Sequence, residues 1–255
     1  MLTPYYQDSA VTLYLGDCRE ILPALELRPD CLASDPPYSA QTHAGARSPN
    51  KSGGDRDGGV IINYPPVSAA DIRAVLGGPW RASRWTVCTV DYHHAAALEA
   101  EPPPGLRFVR FGIWDKGETG APQITGDRPA TGWEAIAILH ADTPGRMRWN
   151  GGGKDSVYHH AIARGAIPEE KPTTLLAELI SDFTDPGDLI LDPWCGHATT
   201  LRVAKDLGRR AVGIEIDEAR CEYAARRLAQ ESLFTPRPPA PVQVAMGDWP
   251  KVRRS

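Results

Sequence analysis

The sequence predicts one α/β domain over residues 1–255, with a mostly parallel central sheet, helices on both faces and an antiparallel edge hairpin. Three observations carry this. The C-terminal third reads helix, strand, turn, helix, strand, helix, a βαβ unit whose strands lie parallel with covered faces. Further upstream, Leu106–Trp114 and Glu134–His140 read as two strands that would pair antiparallel. Asp17, Asp35, Asp192 and Glu215 each stand where a predicted strand ends. In parallel sheets ligands bind beyond the carboxyl ends of the strands, so four acids there predict one shared crevice.

Taken in order, Val11–Gly16 alternates and is β-branched, which predicts a strand running into Asp17. Cys18–Leu25 reads as a short helix broken by Pro23, and Cys31–Ser34 as an apolar strand stopped by Asp35-Pro36-Pro37-Tyr38. Residues 39–66 read as a long flexible loop. Ser68 caps a predicted helix over Ala69–Leu76. A buried strand at Trp85–Val90 and a helix at His94–Ala100, closed by three prolines, precede the hairpin. The polar stretch 141–168 contains Gly151-Gly152-Gly153 and is locally basic. The βαβ unit follows: a helix over Thr173–Asp182, a strand at Leu189–Leu191, a helix over Thr199–Leu207, a strand at Ala211–Ile216 and a helix over Glu218–Gln230. Residues 235–255 form a proline-rich tail.

Composition narrows the function classes. A net charge of −4 gives no global nucleic-acid signature, so any such contact rests on local basic patches. Five cysteines without a C-x-x-C pair argue against a disulfide framework and a structural zinc site. No stretch reads as a signal peptide or a membrane span, so a cytoplasmic location is expected. The pairs His93-His94 and His159-His160 are adjacent, so their side chains diverge and no metal is expected.

Two motifs carry chemistry. An exocyclic amine on a nucleobase is a poor nucleophile, because its lone pair is delocalised into the ring. Acceptors aimed at its N–H groups draw it towards a tetrahedral nitrogen. Asp35 and the Pro36 carbonyl are suited to this, since Pro36-Pro37 makes the turn rigid, and Tyr38 offers a ring for a base to stack on. In Asp192-Pro193-Trp194-Cys195-Gly196-His197-Ala198-Thr199-Thr200, Gly196 admits a ligand close to the backbone. The helix start at Thr199 and Thr200 offers donors to a carboxylate, and Asp192 can take an ammonium. Glu215, flanked by Asp217, suits ribose hydroxyls.

Together the two motifs make the chain resemble the permuted (β-class) amino-group DNA methyltransferases, the N6-adenine/N4-cytosine family. In that order D-P-P-Y comes early and the cofactor turn late, as Asp35–Tyr38 and Asp192–Thr200 do here. Lys171-Pro172-Thr173-Thr174-Leu175-Leu176 matches the family's K-P-x-x-L segment, and Leu13-Tyr14-Leu15-Gly16-Asp17-Cys18 matches its L-x-x-G-D-C. The resemblance implies the Rossmann-like S-adenosylmethionine-dependent methyltransferase fold, with S-adenosyl-L-methionine as cofactor. It implies direct methyl transfer to N6 of adenine in a flipped-out base, with N4 of cytosine as the first alternative, and behind it an RNA or protein N-methyltransferase or a non-catalytic DNA-binding homologue. Asp35, Pro36, Pro37 and Tyr38 become the expected catalytic residues. The expected cofactor contacts are Asp17, Cys18, Lys171, Pro172, Asp192, Trp194, Cys195, Gly196, Thr199, Thr200, Glu215 and Asp217.

The family usually has S-G where His197-Ala198 stands, and Gly247-Asp248 competes with Gly16-Asp17 for the cofactor adenine, although Asp17 has the better flanks. Methyl transfer to an amine needs no thiolate, so Cys195 is expected to pack beside the cofactor. Double-stranded DNA is the expected partner, and a restriction endonuclease or a second copy of the chain is compatible with the family. Residues 141–168 are the candidate target-recognition segment, with Arg146, Arg148, Lys154 and Arg164 as DNA contacts. Arg47, Lys51 and Arg56 in the long loop are candidates for phosphate.

Overall fold

A computed structural model describes residues 2–46, 64–117, 129, 131–162 and 170–230. Among the described residues, nine strands form one sheet: β1 (Tyr6–Gln7), β2 (Val11–Leu15), β3 (Cys31–Ser34), β4 (Trp85–Val90), β5 (Leu106–Asp115), β6 (Trp133–Ala141), β7 (Val157–His159), β8 (Leu189–Asp192) and β9 (Arg210–Glu215). Their spatial order is β1-β2-β9-β8-β3-β4-β6-β5-β7. The run β2-β9-β8-β3-β4 is parallel throughout. β6 pairs antiparallel with both β4 and β5, and β1 antiparallel with β2. The expected hairpin is therefore present, but β7 extends the sheet beyond it, parallel to β5.

Among the described residues there are seven α-helices: α1 (Cys18–Ile21), α2 (Ala40–Ala46), α3 (Ala69–Leu76), α4 (Tyr92–Ala100), α5 (Thr173–Phe183), α6 (Thr199–Asp206) and α7 (Glu218–Ala229). Strand alternation sends neighbouring side chains to opposite faces. Cys31, Val87, Ile136 and Ile138 join Leu175, Leu179, Ile180, Leu201 and Leu228 of α5–α7 in one core. Leu32, Cys88, Leu139 and Ile214 join Ile72, Leu76 and Leu98 of α3 and α4 in the other. Asp17, Ser68, Asp91 and Asp217 each cap a helix by accepting from a backbone N–H in its first turn.

The sheet departs from expectation in two stretches. Within 39–66, α2 forms because Asp91 accepts from the Ser39 N–H (2.7 Å) and the Thr42 hydroxyl (2.7 Å), pinning its first turn. Within 141–168, β7 exists through its register with β5 (Ile113↔Val157), a long-range pairing with no local signal. Gly247-Asp248 and the tail 235–255 lie outside the described residues.

Chain crossings from β8 to β9 and from β3 to β4 run in opposite directions across the sheet. The switch point lies between β8 and β3, which is where a crevice opens in such folds.

Candidate active site

Beyond the switch point lies a cavity of about 720 Å3, within the usual range for small-molecule sites. Asp17 and Cys18 after β2, Asp35, Pro37 and Tyr38 after β3, and Lys171 before α5 line it. So do Asp192, Trp194, Cys195 and Gly196 after β8, Thr199 and Thr200 at the start of α6, and Glu215 at the end of β9. Three expected site residues do not. Pro36 is buried behind the turn, Pro172 is the N-cap of α5, and exposed Asp217 accepts from the Arg220 N–H as the N-cap of α7.

On the β8–β9 side Asp192 and Glu215 accept from neutral donors. Asp192 is 2% exposed. It accepts from the Ser34 hydroxyl (2.5 Å), the Trp194 N–H (3.2 Å) and the Thr200 side chain. Desolvation pushes its carboxyl up to about 7 against these bonds. Glu215 accepts from the Gly196 and Asp217 N–H groups, both at 2.9 Å, and desolvation raises its carboxyl too. Asp17 receives the guanidinium of Arg19, whose hydrogen bonds hold its carboxyl below the ordinary value. Gly196 and Ala198 adopt left-handed φ values of 53° and 59°. For Ala198 this is strained, and its methyl is fully buried.

Glu170 joins the site through partners 29 and 57 residues away, so no local signal marks it. It accepts from the Thr199 hydroxyl at 2.5 Å and pairs with Arg227, tying the segment before α5 to α6 and α7. Cys195 is buried and desolvation pushes its thiol well up, which fits packing rather than reactivity. His197 stacks edge-on against Tyr223.

On the β3–β4–β6–β5 side the acids meet cations. Asp35 accepts from the Thr89 hydroxyl (2.8 Å) and the Lys171 ammonium (2.7 Å). Lys171 also reaches the Tyr38 hydroxyl (3.2 Å) and Glu134 (3.1 Å). Burial pushes the Asp35 carboxyl above its ordinary value, although Lys171 opposes the rise. Desolvation also acts on Glu134, but Lys171 and Lys116 outweigh it and hold that carboxyl down. Lys171 is thus expected cofactor machinery that the structure places on Asp35. Thr89 and Glu134 had no local signal, because their partners lie 54 and 96 residues away.

The basic candidates divide. Arg47, Lys51, Arg56 and Arg164 lie outside the described residues. Lys154 pairs with Glu178 (2.7 Å) and Asp182 (2.5 Å) on α5, and Arg148 with Asp185 (3.3 Å). Arg146 is exposed and carries no ion pair among the described residues. Trp114 is buried and donates to the His160 carbonyl, and Trp149 packs on Phe183. No described group of three or more His, Cys, Asp or Glu side chains is arranged to hold a metal. No described helix is long and apolar enough to cross a membrane.

Comparison with known proteins gives a consistent result. The family model described as DNA methylase, for N6 and N4 methyltransferases, matches residues 105–226. The type II methyltransferase M2.DpnII of Streptococcus pneumoniae is 44% identical, over 91% of this chain and 94% of its own length. Among solved structures, the complex of M1.HpyAVI with SAM superposes with a TM-score of 0.61 at 20% identity, over 86% of this chain and 99% of the other. The cytosine-N4-specific PvuII DNA methyltransferase reaches 0.65 at 14% identity, over 91% of each chain.

Proposed function

Since this chain belongs to the N6/N4 DNA methyltransferase family, we propose that it transfers the methyl group of S-adenosylmethionine to the exocyclic N6 of adenine in DNA. One observation carries the reading. Asp35, the acid suited to an amine, and Asp192 and Glu215, the acids suited to an amino-acid end and a ribose, open into the same cavity across the switch point.

The donors and acceptors present fit the cofactor. Asp192 is a desolvated acid that touches no cation among the described residues, which suits an ammonium. The N-terminus of α6, with Thr199 and Thr200, suits a carboxylate. Glu215 has acceptor capacity left for ribose hydroxyls, and Asp17 stands at the end of β2 for the adenine. Open space over Gly196 leaves room for a ligand against the backbone. When bound, the cofactor supplies an electrophilic methyl group.

This chain's residues do the rest. Asp35 accepts an N–H of the target amine, which helps to localise the nitrogen lone pair. Lys171 and Thr89 hold the Asp35 carboxylate still, so its geometry is set before the base arrives. Tyr38 stacks on the base. Taking that base out of the duplex costs a few kcal/mol, offset by contacts to phosphate. Arg146 is the described candidate for such a contact, with the segment 141–168 as recognition element. Double-stranded DNA is the substrate on this reading. A restriction endonuclease is a proposed partner on the strength of the type II relative. A second copy of the chain is another, checked by sedimentation.

Tritiated methyl transfer to unmethylated DNA, followed by nucleoside analysis, tests the reading. Label in N6-methyladenine that is lost in Asp35→Ala supports it. Label in N4-methylcytosine keeps the mechanism and replaces the base. No label, despite cofactor binding, removes DNA as substrate.

A further inference from the structure

β6 runs against its neighbours, so its first residues, not its last, reach the edge where the other strands end. That brings Glu134, opposite Trp114, to the wall of the cavity. The residue is 7% exposed. One of its oxygens accepts from Lys171 and from the Tyr38 hydroxyl, both at 3.1 Å, and the other accepts from Lys116 at 3.1 Å. An ammonium has three donors, and Lys171 directs them to Asp35, Glu134 and Tyr38. A carboxylate this deep is costly to desolvate unless it is paired, and here it is paired twice.

We propose that Glu134 is a positioning residue for methyl transfer: it shares Lys171 with Asp35 and so holds the ammonium, the Tyr38 hydroxyl and the Asp35 carboxylate in one arrangement. This rests on the reading of Asp35 as acceptor for the target amine.

Two effects follow from the sharing. The first is geometric. Each Asp35 oxygen already holds one protein donor, Thr89 or Lys171, and retains capacity for one N–H of a substrate. Without the pull of Glu134, Lys171 has only Asp35 as an acid partner and closes onto it. The second is electrostatic. Asp35 and Glu134 balance Lys171 and Lys116, so the cluster is neutral. The amine nitrogen gains positive charge as it attacks, and a cluster left one charge positive would oppose that. The charged and titratable groups facing Glu134 are Lys171, Lys116 and Tyr38, with Asp35 behind Lys171, then Tyr64 beside Tyr38 and Asp192 beside Asp35.

The test compares full-length wild type with Glu134→Gln and Lys116→Met on methylatable DNA. It reads kcat, KM and the pH profile, together with an NMR titration of the Lys171 side chain labelled at Cε. Glu134→Gln should lower kcat roughly 100-fold, as a displaced reactive group does. KM for DNA and cofactor should stay within about threefold. Loss of a negative neighbour should move the acid limb of the profile to lower pH, and Lys171 should release its proton at lower pH than in wild type. Lys116→Met removes a positive neighbour, so its acid limb should move the opposite way, with a smaller loss of kcat.

Wild-type kcat in Glu134→Gln overturns the proposal. So does a loss of kcat with both the acid limb and the Lys171 titration unmoved, since that is the mark of a merely structural residue. If Glu134→Gln does not fold, an unmoved or acid-shifted limb in Lys116→Met overturns it. Absence of any methyl transfer by wild type would defeat the reading of Asp35. The Lys171 titration would then still decide whether Glu134 shares the ammonium.

Discussion

Asp192 ends β8 and Asp35 follows β3, so the two acids sit on adjacent strands, yet their neighbours are opposite in kind. Among the described residues, Asp192 accepts from a serine hydroxyl, a threonine side chain and a backbone N–H, and desolvation lifts its carboxyl to about 7. Around Asp35 there is an ammonium, itself shared with a second carboxylate. A buried acid without a cation has its strongest pairing in reserve for a cationic ligand. A half-buried acid with one is fixed in place and can only add neutral donors. The first arrangement suits an amino-acid ammonium, and the second suits the N–H groups of a base.

The largest effect that would break this contrast is on Asp35. Asp35→Ala should lower kcat for methyl transfer by about 100- to 1,000-fold, the range for one removed transition-state partner. Cofactor affinity measured by calorimetry should barely change. A collapse of affinity would show that both acids serve the cofactor.

Asp192→Asn should do the reverse. Loss of a charge-assisted bond predicts a cofactor Kd weaker by roughly 10- to 100-fold. Wild-type affinity should rise as pH passes through about 7, because only the ionised acid pairs with an ammonium, whereas the variant should lack that rise.

The same substitution sharpens the contrast through stability. A carboxyl whose folded value lies above its unfolded value of 3.8 costs stability, absent below that pH and complete above about 7. Ligand-free Asp192→Asn should therefore gain thermal stability relative to wild type between pH 4 and about 7. An unchanged difference across that window would mean that Asp192 is not desolvated as described.

Arg146→Ala should give the smallest effect. A phosphate contact predicts a DNA affinity loss similar across sequences, with the salt slope reduced by about 1. An unchanged salt slope would leave the segment 141–168 without a described DNA contact.

The legible parts of the chain were those whose signals are local. α5 shows its apolar stripe at Leu175, Leu176, Leu179 and Ile180, and α3 begins at the serine that caps it. Asp35, Asp192 and Glu215 stood out because they end strands that run into the same edge. The illegible parts depend on partners remote in sequence. β7 is three residues in a polar stretch and exists by pairing with β5. α2 is pinned by Asp91. Glu134 has no such signal, because it lies near the start of an antiparallel strand, and only parallel strands bring their final acids to that edge. Lys154 shows the converse: its basic surroundings are visible in the sequence, but its pairing with Glu178 and Asp182 on α5 is not.

The Ser34–Asp192 hydrogen bond spans 158 residues and crosses from β3 to β8. Bringing such distant segments together closes a long loop, and contacts of that kind form late in folding. The C-terminal βαβ unit, although it reads as a self-contained nucleotide site, lacks the β3 wall until then. Cofactor affinity should therefore lag behind secondary structure during refolding, and its return should report completion of the central parallel pairing.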